Sequence, residues 1–405
     1  MDITCKPEVM GFSAERLENI TAWMHRYIDA GQLAGAQTLV ARGGEVIYSN
    51  WAGLADVETK QAWQGDTIAR FYSMSKPIVS FALMTLYEKG LFHLDDPIEK
   101  FLPAFENMRV LRENAVSIED NTPCQIKPTI HHLLTHCSGL TYDFNVGVLE
   151  DLYTQEKMHF GPRLRSLEEE VNRLGDMPLK FEPGTRWNYG VSSDVVGRLI
   201  EVISGKPLDV FLQEIIFAPL GMTETTFGIA PENTHRFASS YTPGKNRSLK
   251  RVDNANESIY REGAVSCLSG GGGLLSSVRD YLKFANMIRL GGQYEGGQLL
   301  GTRTVEYMTQ NHMPGDLASM GQPVFSEVSF SGVGFGLGGW VMLDPTKAQM
   351  MGSPGDFGWG GMASTVFWVD PLEDLVVVFA TQLMPSSFYP LRKELRALVY
   401  QAIID

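Results

Sequence analysis

Two stretches, one near each end of the chain, constrain the fold more than anything between them. "AQTLVARGGEVIYSNWAG", residues 36–53, alternates apolar and polar positions around Gly43-Gly44, a dipeptide that accepts the positive φ angles of a tight hairpin turn. "STVFWVDPLEDLVVVFATQ", residues 364–382, reads as two apolar strands interrupted at Pro371-Leu372-Glu373-Asp374. A helix flanks each hairpin. After Ser13, a candidate N-cap with Glu15 in the first turn, Leu17, Ile20, Trp23, Met24, Tyr27 and Ile28 recur at helical spacing as far as Gly31, and "PLRKELRALVYQAII" repeats that periodicity at the far end. Helix, hairpin, long middle, hairpin, helix: the pattern predicts one sheet built from both chain ends.

The middle, roughly 93–264, carries helical periodicities such as "SSDVVGRLIEVISG" and frequent Pro/Gly punctuation, with few alternating runs. It reads as a mostly helical insertion, giving a first region of 1–92 with 265–405 and a second of 93–264. No internal repeat or low-complexity linker marks a hinge between independent modules. A chain of 405 residues has material for a sizeable core. Hydrophobic residues at 44% and charged residues at 20% are those of an ordinary globular protein.

A formal charge of −13 without a Lys/Arg cluster argues against a nucleic-acid partner. "MDITCKPEVMGFSAERLENI" has no signal-like apolar run, and nowhere are about eighteen apolar residues consecutive. The expectation is a cytoplasmic protein with no membrane partner. Cys5, Cys124, Cys137 and Cys267 lie far apart without a C-x-x-C, so reduced thiols are expected rather than a metal cage.

Chemistry enters at "RFYSMSKPIVS", residues 70–80. Ser73 and Lys76 share a helix face at i, i+3, close enough for the lysine to relay the serine's proton. Pro77, which has no N–H, is tolerated in a first turn, so the helix is expected to begin at Ser73 or Met74. That puts Ser73 where orphan amides and the helix dipole stabilise an oxyanion. Chance alone supplies about one such spacing in a chain like this. Two further features are needed. In "FEPGTRWNYGVSSD", Tyr189 follows a Pro-Gly loop and precedes a periodic helix, a place from which a phenol reaches a cleft. In "GDFGWGGMASTVFWVD", the glycines after Trp359 let backbone approach a ligand closely, although the segment by itself reads as a turn.

"SMSK", "LLTHCSGL" (133–140), "FEPGTRWNYG" (181–190), "PLGMTETTF" (219–227), "GGGGLLSSVRDYLKF" (270–284) and "WGG" (359–361) occur in one order across most of the chain. Together they resemble the family VIII bacterial carboxylesterases, relatives of class C β-lactamases and penicillin-binding serine peptidases. The resemblance implies an α+β, β-lactamase/serine-peptidase-like fold, with an antiparallel sheet flanked by helices, a mostly helical domain, and the site in the cleft between them. It implies Ser73 as nucleophile, Lys76 as its activating lysine and Tyr189 as the tyrosine of the Tyr-x-Asn motif. Trp359, Gly360 and Gly361 take the place of the Lys-Thr-Gly strand, with the Ser73 and Met362 amides as the oxyanion hole and no metal or cofactor.

Two departures bear on substrate. Val191 stands where that motif has Asn, and Trp359 where it has Lys. Each lost charge-assisted contact to a substrate carboxylate weakens binding by about 1.5–3 kcal/mol, whereas an uncharged ester loses nothing. The expected activity is hydrolysis of short-chain carboxylic esters through an acyl-enzyme on Ser73. The alternatives are a β-lactamase, a D-amino-acid peptidase or an acyltransferase using the same residues, or a non-catalytic scaffold. Whether Lys76 or Tyr189 is the base stays open, as do the physiological ester and the oligomeric state.

Other motifs lack their context. Gly334, Gly336 and Gly339 fit G-x-G-x-x-G but precede a strand-like run, and Gly270–Gly273 lacks the Gly-Lys-Ser/Thr of a phosphate loop. His132 and His136 in "HHLLTH" lack the Glu of a zinc-hydrolase helix and read as buried or capping residues. No G-x-S-x-G is present, so any esterase activity falls to Ser73.

Overall fold

The structure is a computed structural model that describes residues 2–162, 165–245, 248–325 and 328–405. Its main sheet joins the two chain ends. The N-terminal helix α1 (Ala14–Asp29) leads into the hairpin β1 (Gly35–Arg42) and β2 (Glu45–Asp56), followed by the short β3 (Gln61–Ala62). The C-terminal part supplies β4 (Val333–Phe335), β5 (Trp340–Met342), β6 (Phe357–Gly360), β7 (Val366–Asp370) and β8 (Leu375–Thr381), then the last helix α6 (Leu391–Tyr400). Strand order is β4-β5-β6-β7-β8-β1-β2-β3, antiparallel throughout. The central seam pairs β1 with β8, Leu39 opposite Val378 and Val40 opposite Val377, across more than three hundred residues of sequence.

Strand periodicity places alternate residues on opposite faces, and here both faces are covered. Leu39, Ala41, Val376 and Val378 face the larger core, where α2 (Ser75–Tyr87) and α5 (Val278–Arg289) pack. Ala36, Val40, Val377 and Phe379 face α1 and α6, meeting Leu17, Ile20, Trp23 and Leu395. A sheet buried on both sides needs strands apolar in nearly every position, which explains the run "LVVVFA". Ser13 caps α1 as expected, accepting from Arg16 N–H at 3.2 Å, a contact worth about 1 kcal/mol.

Between β3 and α5 lie mainly helices and loops, among them α3 (Ile130–Leu134) and α4 (Ser192–Ser204), with two small hairpins pairing 109–111 with 121–123 and 240–243 with 249–253. α2 is buried from Ser75 to Leu86 because it is sandwiched between this region and the sheet. No helix among the described residues is long and apolar enough to cross a membrane.

Candidate active site

The chain approaches α2 through a forced bend. Tyr72 has a φ of 44°, left-handed backbone that a tyrosine keeps only where its surroundings hold it. Ser75 supplies that restraint: its hydroxyl donates to the Tyr72 carbonyl at 2.7 Å and accepts from Leu274 N–H at 3.1 Å. The Tyr281 hydroxyl also donates to the Met74 carbonyl at 2.8 Å. Ser73 consequently sits in a 3-10 turn, Tyr72–Met74, and α2 proper starts at Ser75. The helix expected from Ser73 or Met74 is therefore delayed by the bend. Pro77 still falls in the first turn of α2, where no intrahelical partner is lost.

Lys76 has no solvent exposure. Its three ammonium hydrogens have three acceptors: Ser73 Oγ at 3.2 Å, the Tyr142 hydroxyl at 2.9 Å and the Gly271 carbonyl at 2.6 Å. The nitrogen also stands 4.7 Å from the ring centre of Tyr189 and 5.2 Å from that of Tyr142, a cation–π setting. The i, i+3 spacing has thus brought Ser73 and Lys76 together, and Tyr189 reaches the same nitrogen by its ring face. Tyr142 was not anticipated. Burial first, and then the charges of Tyr189, Asp194 and Asp143, push the Tyr142 phenol well above the usual tyrosine range, so it keeps its proton. Tyr142 lies two residues beyond "LLTHCSGL", and no spacing rule marks it in the sequence.

Tyr189 is clamped by His136. The His136 carbonyl accepts from Asn188 N–H at 3.0 Å, its Nδ1 accepts from Gly190 N–H at 3.4 Å, and its ring lies 5.0 Å from the Tyr189 ring. Burial, then the charge of Lys76, holds the His136 imidazole well below its usual range. That keeps it neutral and lets Nδ1 accept. His132 closes a capping box with Thr129 at the start of α3. His132 and His136 therefore both serve the backbone.

The opposite wall is β6. Trp359, which reads as a turn residue by itself, is a strand residue here, opposite Phe367 of β7. It is buried against Tyr189, Phe335 and Trp340, with ring centres 5.5, 5.3 and 5.9 Å away. A side chain at Gly361 would bring its Cβ to 2.3 Å from the Phe71 carbonyl oxygen, so glycine is what lets the end of β6 close on the Ser73 segment. Ser73 and Met362 line one cavity, and the Met362 amide has no acceptor among the described residues. Arg392, in the first turn of α6, was also not anticipated. Its Nη2 donates to the Gly361 carbonyl at 2.8 Å and the Thr365 carbonyl at 3.3 Å, bracing the turn that presents Met362. Val191 is fully buried and precedes α4, so it offers the cavity no polar group.

The cavity measures about 640 Å³ and is mostly apolar, with Phe144, Phe160, Ile259, Phe330, Trp340 and Trp359 among its walls. No group of three or more His, Cys, Asp or Glu among the described residues is placed to hold a metal ion. The arrangement can activate a serine hydroxyl beside an open amide and accept an apolar carbonyl compound.

Residues 20–401 match the family described as beta-lactamase. The chain belongs to the beta-lactamase family. Within it, the chain is 30% identical to Esterase EstB of Burkholderia gladioli over 387 residues, covering 91% of each protein, in agreement with the family VIII resemblance of its motifs. The hydrolase EstCE1, whose structure title adds promiscuous acyltransferase activity, superposes with a TM-score of 0.79 at 27% identity over 96% of this chain and 98% of that one. Simvastatin synthase LovD of Aspergillus terreus gives 0.80 at 26% identity over 97% and 98%. The beta-lactamase fold of an antiparallel sheet with flanking helices is shared with these structures.

Proposed function

We propose that the protein is a serine carboxylesterase acting on short-chain, uncharged esters. The carrying observation is the fully buried Lys76 with Nζ 3.2 Å from Ser73 Oγ. Ser73 Oγ attacks the ester carbonyl as its proton passes to the cluster of Lys76, Tyr142 and Tyr189. The Ser73 and Met362 amides hold the oxyanion. The carbon–oxygen bond to the alcohol breaks, the alkoxide takes back the proton, and the acyl group stays on Ser73. Water then attacks with the same cluster as base, releasing the acid and restoring Ser73.

Uncharged esters are favoured because Trp359 replaces a cation and the cavity's arginine, Arg392, already serves two backbone carbonyls. Ser73→Ala is expected to abolish p-nitrophenyl butyrate hydrolysis, and a fluorophosphonate should label Ser73 in the wild type, read by mass spectrometry. Turnover retained by the mutant would sink the assignment. A wide preference for the butyrate ester over nitrocefin in kcat/KM is expected, and the reverse would make the protein a β-lactamase.

Acyl transfer to an alcohol is the second reading, favoured by a cavity of about 640 Å³, which exceeds the needs of a short ester, and by the acyltransferase activity named for EstCE1. Ester formation when an apolar alcohol is added to the butyrate reaction, followed by chromatography, tests it.

A further inference from the structure

A buried lysine needs a counter-charge, and Lys76 touches no carboxylate among the described residues. Its hydrogens go to a hydroxyl, a phenol and a peptide carbonyl. An acid stands behind that peptide. Asp194, on α4, is 1% exposed and lines the cavity. Its Oδ1 accepts from Ser269 Oγ at 2.5 Å and from Gly271 N–H at 3.0 Å. The carbonyl of the same residue, Gly271, receives the Lys76 ammonium. A side chain at Gly271 would place its Cβ 2.5 Å from Asp194 Oδ2 and 3.0 Å from the Tyr142 hydroxyl, so the glycine keeps acid, phenol and amine crowded around one residue. Gly271, within the run Gly270–Gly273, thus acquires a use that no phosphate explains.

Resting on the esterase reading, we infer that Asp194 is a positioning residue: through the Gly271 backbone it supplies the negative charge that tunes proton transfer between Ser73, Lys76 and Tyr142. The groups that face this charge are Lys76 from α2, Tyr142 and His136 from the loop after α3, Tyr189 before α4, and Cys267 from the segment before Gly270. Among them only Lys76 is a cation, since His136 is held neutral and burial keeps Tyr142 and Cys267 protonated. Burial pushes the Asp194 carboxyl up, while Lys76, Ser269 and Gly271 N–H favour its charged form. Two hydrogen-bond donors and a neighbouring cation are what a buried carboxylate requires.

Asp194→Asn retains the shape and an oxygen acceptor for Ser269 and Gly271 while removing the charge. A negative charge beside the cluster makes it hold its proton more tightly, so its removal releases the base form at lower pH. The acid limb of the kcat/KM–pH profile is expected to move down by about one to two pH units, with the plateau falling roughly tenfold because the base is weaker. A limb that stays in place, whatever the plateau does, overturns the inference, since a merely structural role would not move it. Ser73→Ala run alongside separates the failures: activity surviving there sinks the esterase reading, whereas a dead Ser73→Ala with an unmoved Asp194→Asn limb sinks only this one. Should Asp194→Asn fold poorly, the double variant with Lys76→Met carries the test. Neutralising both partners should restore melting temperature lost in the single variants, and a double variant less stable than each single one overturns the pairing.

Discussion

Two cation–carboxylate pairs buried among the described residues are built differently. Behind the sheet, Arg396 of α6 grips Asp356 directly, Nη1 to Oδ2 at 2.7 Å and Nη2 to Oδ1 at 3.1 Å, with Trp340 Nε1 adding a bond to Oδ1 at 3.3 Å and the guanidinium over the Trp368 ring at 4.7 Å. In the cleft, Lys76 and Asp194 are kept apart by the Gly271 peptide. A bidentate pair with its partners satisfied is a fixed strut. A pair joined through a peptide compensates charge yet leaves the amine directed at Ser73 and Tyr142, where a proton can still move. On the proposed mechanism, contact distance separates a structural ion pair from a reactive one.

The comparison breaks most sharply at Lys76. Lys76→Met is expected to lower kcat/KM by at least about a thousandfold, because residues that act as a unit fail together, and steady-state hydrolysis of p-nitrophenyl butyrate reads it. Rates within tenfold of wild type would return the cleft pair to the structural class. The opposite result is expected behind the sheet. Asp356→Asn leaves a buried guanidinium without its counter-charge and should cost about 3–5 kcal/mol of stability, measured by urea unfolding, with kcat/KM per folded molecule nearly kept.

Next in size come the two tyrosines on Lys76. Tyr142→Phe and Tyr189→Phe are each expected to reduce kcat about a hundredfold with little change in melting temperature. A near-wild-type rate in either removes that hydroxyl from the proton path. The smallest effect is on stability and pH. His131, half-buried with Nε2 3.2 Å from His312 Nδ1, is pushed down to about 4, by burial first and then by the charges of His312 and His132. Its folded form resists a proton that the unfolded chain accepts near pH 6.5. Stability from this site is thus complete above about pH 6.5 and lost as pH falls toward 4, by roughly 1–2 kcal/mol after allowance for partial exposure. His131→Gln should flatten that slope in thermal melts while leaving the pH profile of kcat/KM in place. If both profiles move together, stability and proton transfer are not carried by separate groups.

Much of this was legible in the chain. The two hairpins announced themselves because turns and alternation are local, and their joining followed from strands too apolar to remain unpaired. Ser73 and Lys76 were legible because i, i+3 neighbours meet on any helical turn. Tyr142, Asp194 and Arg392 were not, for each gains its role from a partner 31 or more positions away: Lys76, Gly271 and Gly361 respectively. The turn reading of Trp359 gave way for the same reason, since its strand identity is conferred by pairing with Phe367.

The sequence by itself determined the elements, the both-ends sheet and the serine–lysine spacing, all of which rest on periodicity and on backbone preferences that act over a few residues. Tertiary structure alone decided which tyrosines touch Lys76 and which acid meets it across the Gly271 peptide. Those are questions of burial and distance, and electrostatic energy in a dry cleft depends on both far more steeply than on residue type.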